Sequence, residues 1–447
     1  MVQTLKWLSM ASISLAALSA CAAEDLPRPE TFPGVPEVPS PTPAPQPAPA
    51  PSPTPSQQDV NVPLFVPSGN VEFDNWRVKF AQKAANSGRD VEILHAVLQS
   101  VTPMEVVKAA AIGDDQAEFV KPIWDYVASA THPNRVATGR EKLAAETGLF
   151  NTVESLYSPP REILASIWGM ETSYGRILGS SDAVRQLATL AYTGRRTAFG
   201  EDQLMSVFKL LEQKVVTREQ LKQASWAGAF GQTQFMPSTF IVHGRDGDGD
   251  GVKDVWNSSA DALASAGNYL QASGWKRNEP WALEVKLPTN VNYVLADGQK
   301  RKMQVWKALG FSVVGERSVS DDLQAELFLP AGSYGPAFLL FDNFYVIKTY
   351  NNADSYALSV GLLADKLAGR PELSKAWPTH IKMLSKAEVK DLQASLNALG
   401  YDAGPVDGLA GRGTRAALQR FQKDRDMLAD GFPTREMLAA VMSAARG

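Results

Sequence analysis

A mainly α (α+β) fold with minor β structure, followed by a small all-α unit of three helices, is predicted by three features of this 447-residue sequence. Apolar residues recur at helical spacing through most of residues 69–378, as in Trp76, Phe80 and Ala84 and again in Val360, Leu363, Ala364 and Leu367. Strict alternation is confined to short stretches, the clearest being Leu283, Val285 and Leu287 set against Glu284 and Lys286. From residue 384 to 445 the pattern tightens into three short apolar stripes separated by turn residues.

The chain is 44% hydrophobic, enough for a substantial core, and carries a formal charge of −4, which gives no electrostatic reason to expect a nucleic-acid partner. Its single cysteine, Cys21, excludes an intramolecular disulfide and a cysteine zinc cluster, and the four histidines lack ligand spacing. Residues 1–20 read as an export signal: Lys6, an apolar stretch from Trp7 to Ala17, then Leu18-Ser19-Ala20 before Cys21. That ending resembles the bacterial lipobox, which implies cleavage before Cys21, its lipidation and a membrane partner through the lipid anchor. A plain secretory signal is the alternative. Ala22 follows the cysteine, and the absence of Asp there implies an outer-membrane lipoprotein facing the periplasm if the organism is Gram-negative.

Residues 21–68 continue as a linker. Between residues 27 and 55 lie 13 of the 29 prolines, mixed with Ala, Ser, Thr and Gln, a composition unable to pack a core. As polyproline II this stretch would reach roughly 90 Å, a semi-rigid stalk suited to an extended substrate away from the membrane; a spacer of unselected length and a ligand for some partner are the alternatives.

Within the helical segment, Leu164, Ile167, Trp168 and Glu171 follow the i, i+3, i+4, i+7 spacing of one buried face. Ser158 and Pro159 suit the start of that helix and Gly175 its end, which puts Glu171 in the last turn. Desolvation and the helix dipole there both favour the protonated acid, and a carboxyl that keeps its proton near neutral pH can donate it to a leaving oxygen, as glycoside cleavage requires. A Glu at the edge of its stripe reaching water is the competing reading. Further on, Leu327 to Leu329 is a short apolar run, and Phe338 to Ile347 fits either a hairpin or, preferred here, a strand followed by a helix.

The loop Gly244 to Asp254 places Asp246, Asp248 and Asp250 at positions 1, 3 and 5, Gly251 at 6 and the Val252 carbonyl at 7 of an EF-hand-like calcium loop. Position 12 is Asn257 where the bidentate Glu belongs, so an Asp-Gly turn with carboxylates on backbone amides remains open. In the C-terminal unit, Val389, Leu392, Leu396 and Leu399 mark one helix, Thr414 is read as the cap of a second carrying Ala417, Leu418 and Phe421, and Leu438 and Val441 mark the third.

The run Pro159 to Arg176, followed by Gly228-Ala229-Phe230-Gly231-Gln232-Thr233-Gln234-Phe235-Met236-Pro237-Ser238, resembles the membrane-bound lytic transglycosylase B family over residues 69–378. The resemblance implies a lysozyme-like fold and peptidoglycan glycan strands as substrate, with Glu171 first protonating the oxygen between N-acetylmuramic acid and N-acetylglucosamine, then accepting the proton of the muramyl C6 hydroxyl. It also implies saccharide-binding roles for Ser225, Gln234, Tyr350, Asn351 and Tyr356, although Ala353 stands where many relatives carry Ser. For the acidic loop it implies closure by a later Asp, for which Asp261 is the candidate and Asp254 a competitor, around a structural calcium ion; no cofactor is expected for catalysis. Relatives often carry Gly between the tryptophans where this chain has Asn278. Residues 384–445, with Asp407-Gly-Leu-Ala-Gly-Arg-Gly-Thr414 and Phe421-Gln422, closely resemble the peptidoglycan-binding domain of many cell-wall enzymes. The reading is thus a lipid-anchored lytic transglycosylase expected to be monomeric. A muramidase that admits water to the same bond and a non-catalytic wall-tethering lipoprotein are the alternatives.

Overall fold

The computed structural model describes residues 62–104, 121–194 and 196–446; the signal segment, Cys21 and the proline-rich stretch lie outside them. Among the described residues there are sixteen α-helices and five strands, and no helix is long and apolar enough to cross a membrane.

The helix Arg161–Thr172 runs through the middle of the main core, buried from Ile163 to its last residue. Leu164, Ile167 and Trp168 are sequestered there, each burial stabilising by roughly 1.5–3 kcal/mol. The helix begins later than its sequence suggests. Pro160 precedes it without a side-chain cap, while Ser158, with φ +83°, terminates the preceding helix Thr147–Tyr157. At the other end Ser173, Tyr174 and Gly175 all take positive φ (52°, 63° and 79°), so the chain turns away before the glycine expected to cap it. The reversal lets the Ser173 and Tyr174 amides donate to the carbonyls of Gly169 and Trp168, and Thr172 Oγ1 accept from the Gly175 amide at 3.0 Å. Those bonds offset a left-handed backbone that costs about 1 kcal/mol or more at each non-glycine.

A five-stranded antiparallel sheet follows: β1 (Ala282–Lys286), β2 (Arg301–Lys302), β3 (Ser312–Val313), β4 (Gln324–Phe328) and β5 (Ala337–Leu340), in the order β2-β4-β5-β1-β3. Phe338 and Leu340 face the main helical core, whereas Leu339 and Phe341 face a smaller core with Leu327, Trp306 and Phe311. Burial on both faces erases the alternation of β5, which is why Phe338 to Ile347 is ambiguous in sequence. It is a strand followed by the helix Asp342–Lys348, as preferred. That helix delivers Tyr350 and Asn351 and leads into the helix Asp354–Leu367, which packs along Arg161–Thr172.

Asn278 adopts φ +64°, a left-handed position that Asn tolerates after Gly.

The C-terminal helices Lys386–Ala398, Arg412–Lys423 and Arg435–Ala445 close on Leu392, Leu396, Leu418, Phe421 and Val441. Thr414 does not cap the second helix: Gly411 precedes it, and Thr414 lies inside its first turn, buried, accepting from Gln393 Nε2 at 3.1 Å. Gln393 also receives the Gly408 amide at 2.9 Å and donates to Asp407 at 2.9 Å, fixing the Asp-Gly turn from within.

This unit docks against the larger domain. Arg415 donates to the Pro330 carbonyl at 3.0 Å, Gln419 to that of Tyr293 at 3.0 Å, and Asp430 accepts from the Ser333 amide at 2.9 Å. Phe432 packs with Trp124 and Ala331. Arg412 reaches Asp354, which also pairs with Lys348 at 2.8 Å. Burial raises the Asp354 carboxyl, but Arg412 and Lys348 outweigh it and hold the group below its ordinary range. Because the folded value is depressed, the stabilisation is complete above the ordinary carboxylate range and is lost as pH falls through the folded value. Small-angle scattering on acidification below about pH 4 is therefore expected to show the two domains separating before helical circular dichroism collapses. Simultaneous loss of both signals would remove Asp354 as the pH-sensitive element of the junction.

Candidate active site

Glu171 is 4% exposed, in the last turn of its helix, and Tyr356 from the adjacent helix donates its hydroxyl to Glu171 Oε1 at 2.5 Å. Burial pushes the Tyr356 phenol far above its usual value, and the charge of Glu171 adds to the shift. The hydroxyl therefore stays protonated and remains a donor, holding one carboxyl oxygen so that the orientation of the other is set. Tyr350 is also buried, its phenol raised chiefly by burial and next by the Glu171 charge, so the two tyrosines and the acid form one electrostatic cluster. The Tyr350 ring lies 5.3 Å from that of Tyr269 and 6.0 Å from that of Phe235. Asn351 follows it, buried.

Ser225 and Gln234 occupy a tight turn built on bridges between Ala224, Phe230 and Phe235. Ser225 Oγ accepts from the Ala229 amide at 3.1 Å, bracing the turn. Gln234 takes φ +51°, its Nε2 donating to the carbonyls of Gly231 (2.9 Å) and Leu178 (3.2 Å), while its buried Oε1 finds no protein partner. A buried acceptor left open is costly within the protein and is suited to a hydroxyl or amide of a ligand. Gly231, with φ +75°, is required here because a Cβ would meet Val255 at 2.6 Å. A cleft of about 510 Å³ opens alongside, lined by residues 175–181 on one side and Gln223 to Trp226, Ser225 included, on the other.

The turn is bolted to the Glu171 helix by a residue sequence reasoning missed. Gln232 Oε1 accepts from Trp168 Nε1 at 3.0 Å and its carbonyl accepts from Thr172 Oγ1 at 2.5 Å, so the helix is gripped on both sides of the acid. The one available signal was Trp168, whose buried indole N–H needs an acceptor.

In the acidic loop, carboxylate oxygens of Asp246, Asp248 and Asp261 lie within 4.8 Å of one another. Asp261, 1% exposed, accepts from the amides of Gly247 (2.7 Å) and Asp254 (2.6 Å), which closes the loop on itself. Burial raises its carboxyl above the ordinary range; those amides oppose the shift and the charges of Asp248 and Asp246 add to it. Asp250 instead caps the Val252 amide at 2.8 Å, and the Val252 side chain is exposed. Asp254 caps Trp256 and Asn257 amides, at 3.1 and 3.2 Å, outside the cluster. Three convergent carboxylates are a hard-oxygen donor set of the kind that fits calcium.

A mainly helical domain with a buried glutamate in the last turn of its central helix, a small sheet beside it and an appended three-helix unit make up a lysozyme-like architecture. The chain belongs to the family of the transglycosylase SLT domain, whose model matches residues 72–365; that of the putative peptidoglycan binding domain matches residues 385–441. It is 29% identical over 219 residues to the membrane-bound lytic murein transglycosylase B of Escherichia coli (strain K12), a match spanning 49% of this chain and 60% of that protein. SltB3 of Pseudomonas aeruginosa in complex with NAG-anhNAM-pentapeptide superposes with a TM-score of 0.78 at 39% identity, over 83% of this chain and 100% of that one. The Escherichia coli lytic transglycosylase Slt35 in complex with calcium superposes with a TM-score of 0.57 at 26% identity, over 65% of this chain and 92% of that one.

Proposed function

We propose that this chain is a lytic transglycosylase that cleaves the glycosidic bond between N-acetylmuramic acid and N-acetylglucosamine in peptidoglycan, leaving 1,6-anhydromuramic ends. The observation that carries the reading is the buried Glu171 held by Tyr356 at 2.5 Å within the family's fold. The protonated acid gives its proton to the leaving oxygen as the bond to the muramyl anomeric carbon breaks. The resulting carboxylate takes the proton of the C6 hydroxyl as that oxygen bonds the same carbon, so no water is consumed. An internal hydroxyl held close acts at high effective concentration, which replaces the second carboxylate of an ordinary glycosidase. Ser225, Gln234, Tyr350 and Asn351 supply hydroxyl, amide and ring surfaces suited to a neutral sugar.

Mass spectrometry of products released from purified peptidoglycan tests this. Muropeptides lighter by one water, without a reducing end, are expected. Reducing products would make the chain a muramidase, and wall binding without products a tethering lipoprotein.

Finer proposals rest on the sequence. The lipobox-like ending supports lipidation at Cys21 and, in a Gram-negative organism, anchoring of a monomer in the outer membrane with the domains in the periplasm. Asp246, Asp248 and Asp261 would hold a structural calcium ion, with Asp250 and the Val252 carbonyl as the remaining loop donors. Saturating calcium is expected to raise Tm by several degrees in a thermal scan, and Asp261→Asn to abolish the rise. A Tm indifferent to calcium would leave the loop as a carboxylate-capped turn.

A further inference from the structure

The junction between the domains contains a charge arrangement that neither domain completes alone. Glu326, on β4, is 4% exposed, and its oxygen Oε1 receives Arg412 NH1 at 2.8 Å. The same guanidinium spans both oxygens of Asp354, Nε to Oδ2 at 3.1 Å and NH2 to Oδ1 at 3.3 Å, and meets the Tyr345 hydroxyl at 3.3 Å. It also lies 5.6 Å from the centre of the Tyr345 ring and 5.9 Å from that of Phe328. Two carboxylates of the large domain thus share one cation supplied by the C-terminal domain, with Lys348 as further local compensation at Asp354. A buried carboxylate stripped of its partner is strongly unfavourable, so the large domain is built for the docked state.

Asp354 is the first residue of the helix that carries Tyr356. That helix takes no side-chain cap from Ala353 at its start, and Asp354, its first residue, ties that end to Lys348 and Arg412. Two residues on, Tyr356 donates to the acid. We infer that Arg412 is a positioning residue for catalysis: by clamping Asp354 it fixes the start of the helix and thereby the Tyr356 hydroxyl on Glu171, so that docking of the wall-binding domain brings the active site to full turnover. This deepens the transglycosylase reading and rests on it.

The test measures kcat and KM on soluble glycan fragments too short to engage both domains, using the chain without residues 1–21. Arg412→Ala is expected to lower kcat about tenfold with KM within about twofold, at a temperature where it remains folded by circular dichroism. Arg412→Lys, which keeps the charge, is expected to recover part of the loss. Asp354→Asn should lower kcat comparably, and the double variant should be no worse than either single one, the signature of two residues acting through one contact. An unchanged kcat in Arg412→Ala, losses that multiply in the double variant, or a loss confined to Tm would each overturn the inference. Product identity is read separately: anhydro ends that persist in a slowed variant leave the transglycosylase reading standing, and reducing ends in the unaltered chain would remove that reading whatever Arg412 does.

Discussion

Replacing Glu171 with Gln is expected to lower turnover on purified peptidoglycan by about three orders of magnitude while sedimentation with the wall stays intact. Gln matches the shape of Glu and preserves an acceptor for Tyr356, so the helix end and the hydrogen bond at Oε1 have no steric reason to change. What is lost is the transferable proton. An amide can neither donate to the leaving oxygen at neutral pH nor accept the proton of the C6 hydroxyl, so both halves of the reaction fail together. The C-terminal domain closes on its own core, so the wall binding proposed for it is expected to survive the substitution. Release of muropeptides by Glu171→Gln at the unaltered rate would exclude Glu171 as the acid.

Tyr356→Phe is expected to cost roughly a hundredfold in kcat, with little change in fold stability, because the ring remains in place and only the hydroxyl is removed. Without that donor the carboxyl is free to rotate, and a misplacement of about 1 Å is enough for a loss of this size. The pH profile gives a second reading. A phenol kept protonated by burial stabilises the ionised acid, so its removal favours the protonated form. The alkaline limb of kcat against pH is therefore expected to move to higher pH even as the maximum falls. An unchanged maximum, or a limb that moves down, would take Tyr356 out of the machinery.

Much of this site is legible in the sequence because it lies on long periodic segments. The stripe through Leu164, Ile167 and Trp168 puts Glu171 on the buried side of a helix end, where the structure has it. The boundaries are less legible. Pro159 and Gly175 are ordinary start and stop signals, yet the start is displaced by a second proline and the stop is taken by Ser173, whose left-handed backbone is held by bonds back to the helix. Thr414 fits a cap by residue type and is instead drawn inward by Gln393. Contacts across large separations leave no local trace. Gln232 holding Trp168 and Arg412 holding Asp354 depend on how helices pack, and neither pattern is periodic. The carboxylate closing the acidic loop, Asp261, lies past position 12 of the loop, and only the fold brings it to Asp246 and Asp248.

The strand order has a consequence in time. β5 lies between β4 and β1, so the sheet is complete only when a strand late in the chain has entered between two made earlier. Tyr350 and Tyr356 come after that strand and the helix that follows it, and the bond from Tyr356 to Glu171 spans 185 residues. Contacts so distant carry a high closure entropy and form late in folding. A newly made chain therefore carries its acid on an early helix well before the hydroxyl arrives to aim it, and the cleavage proposed for this site waits until nearly all of the large domain has folded.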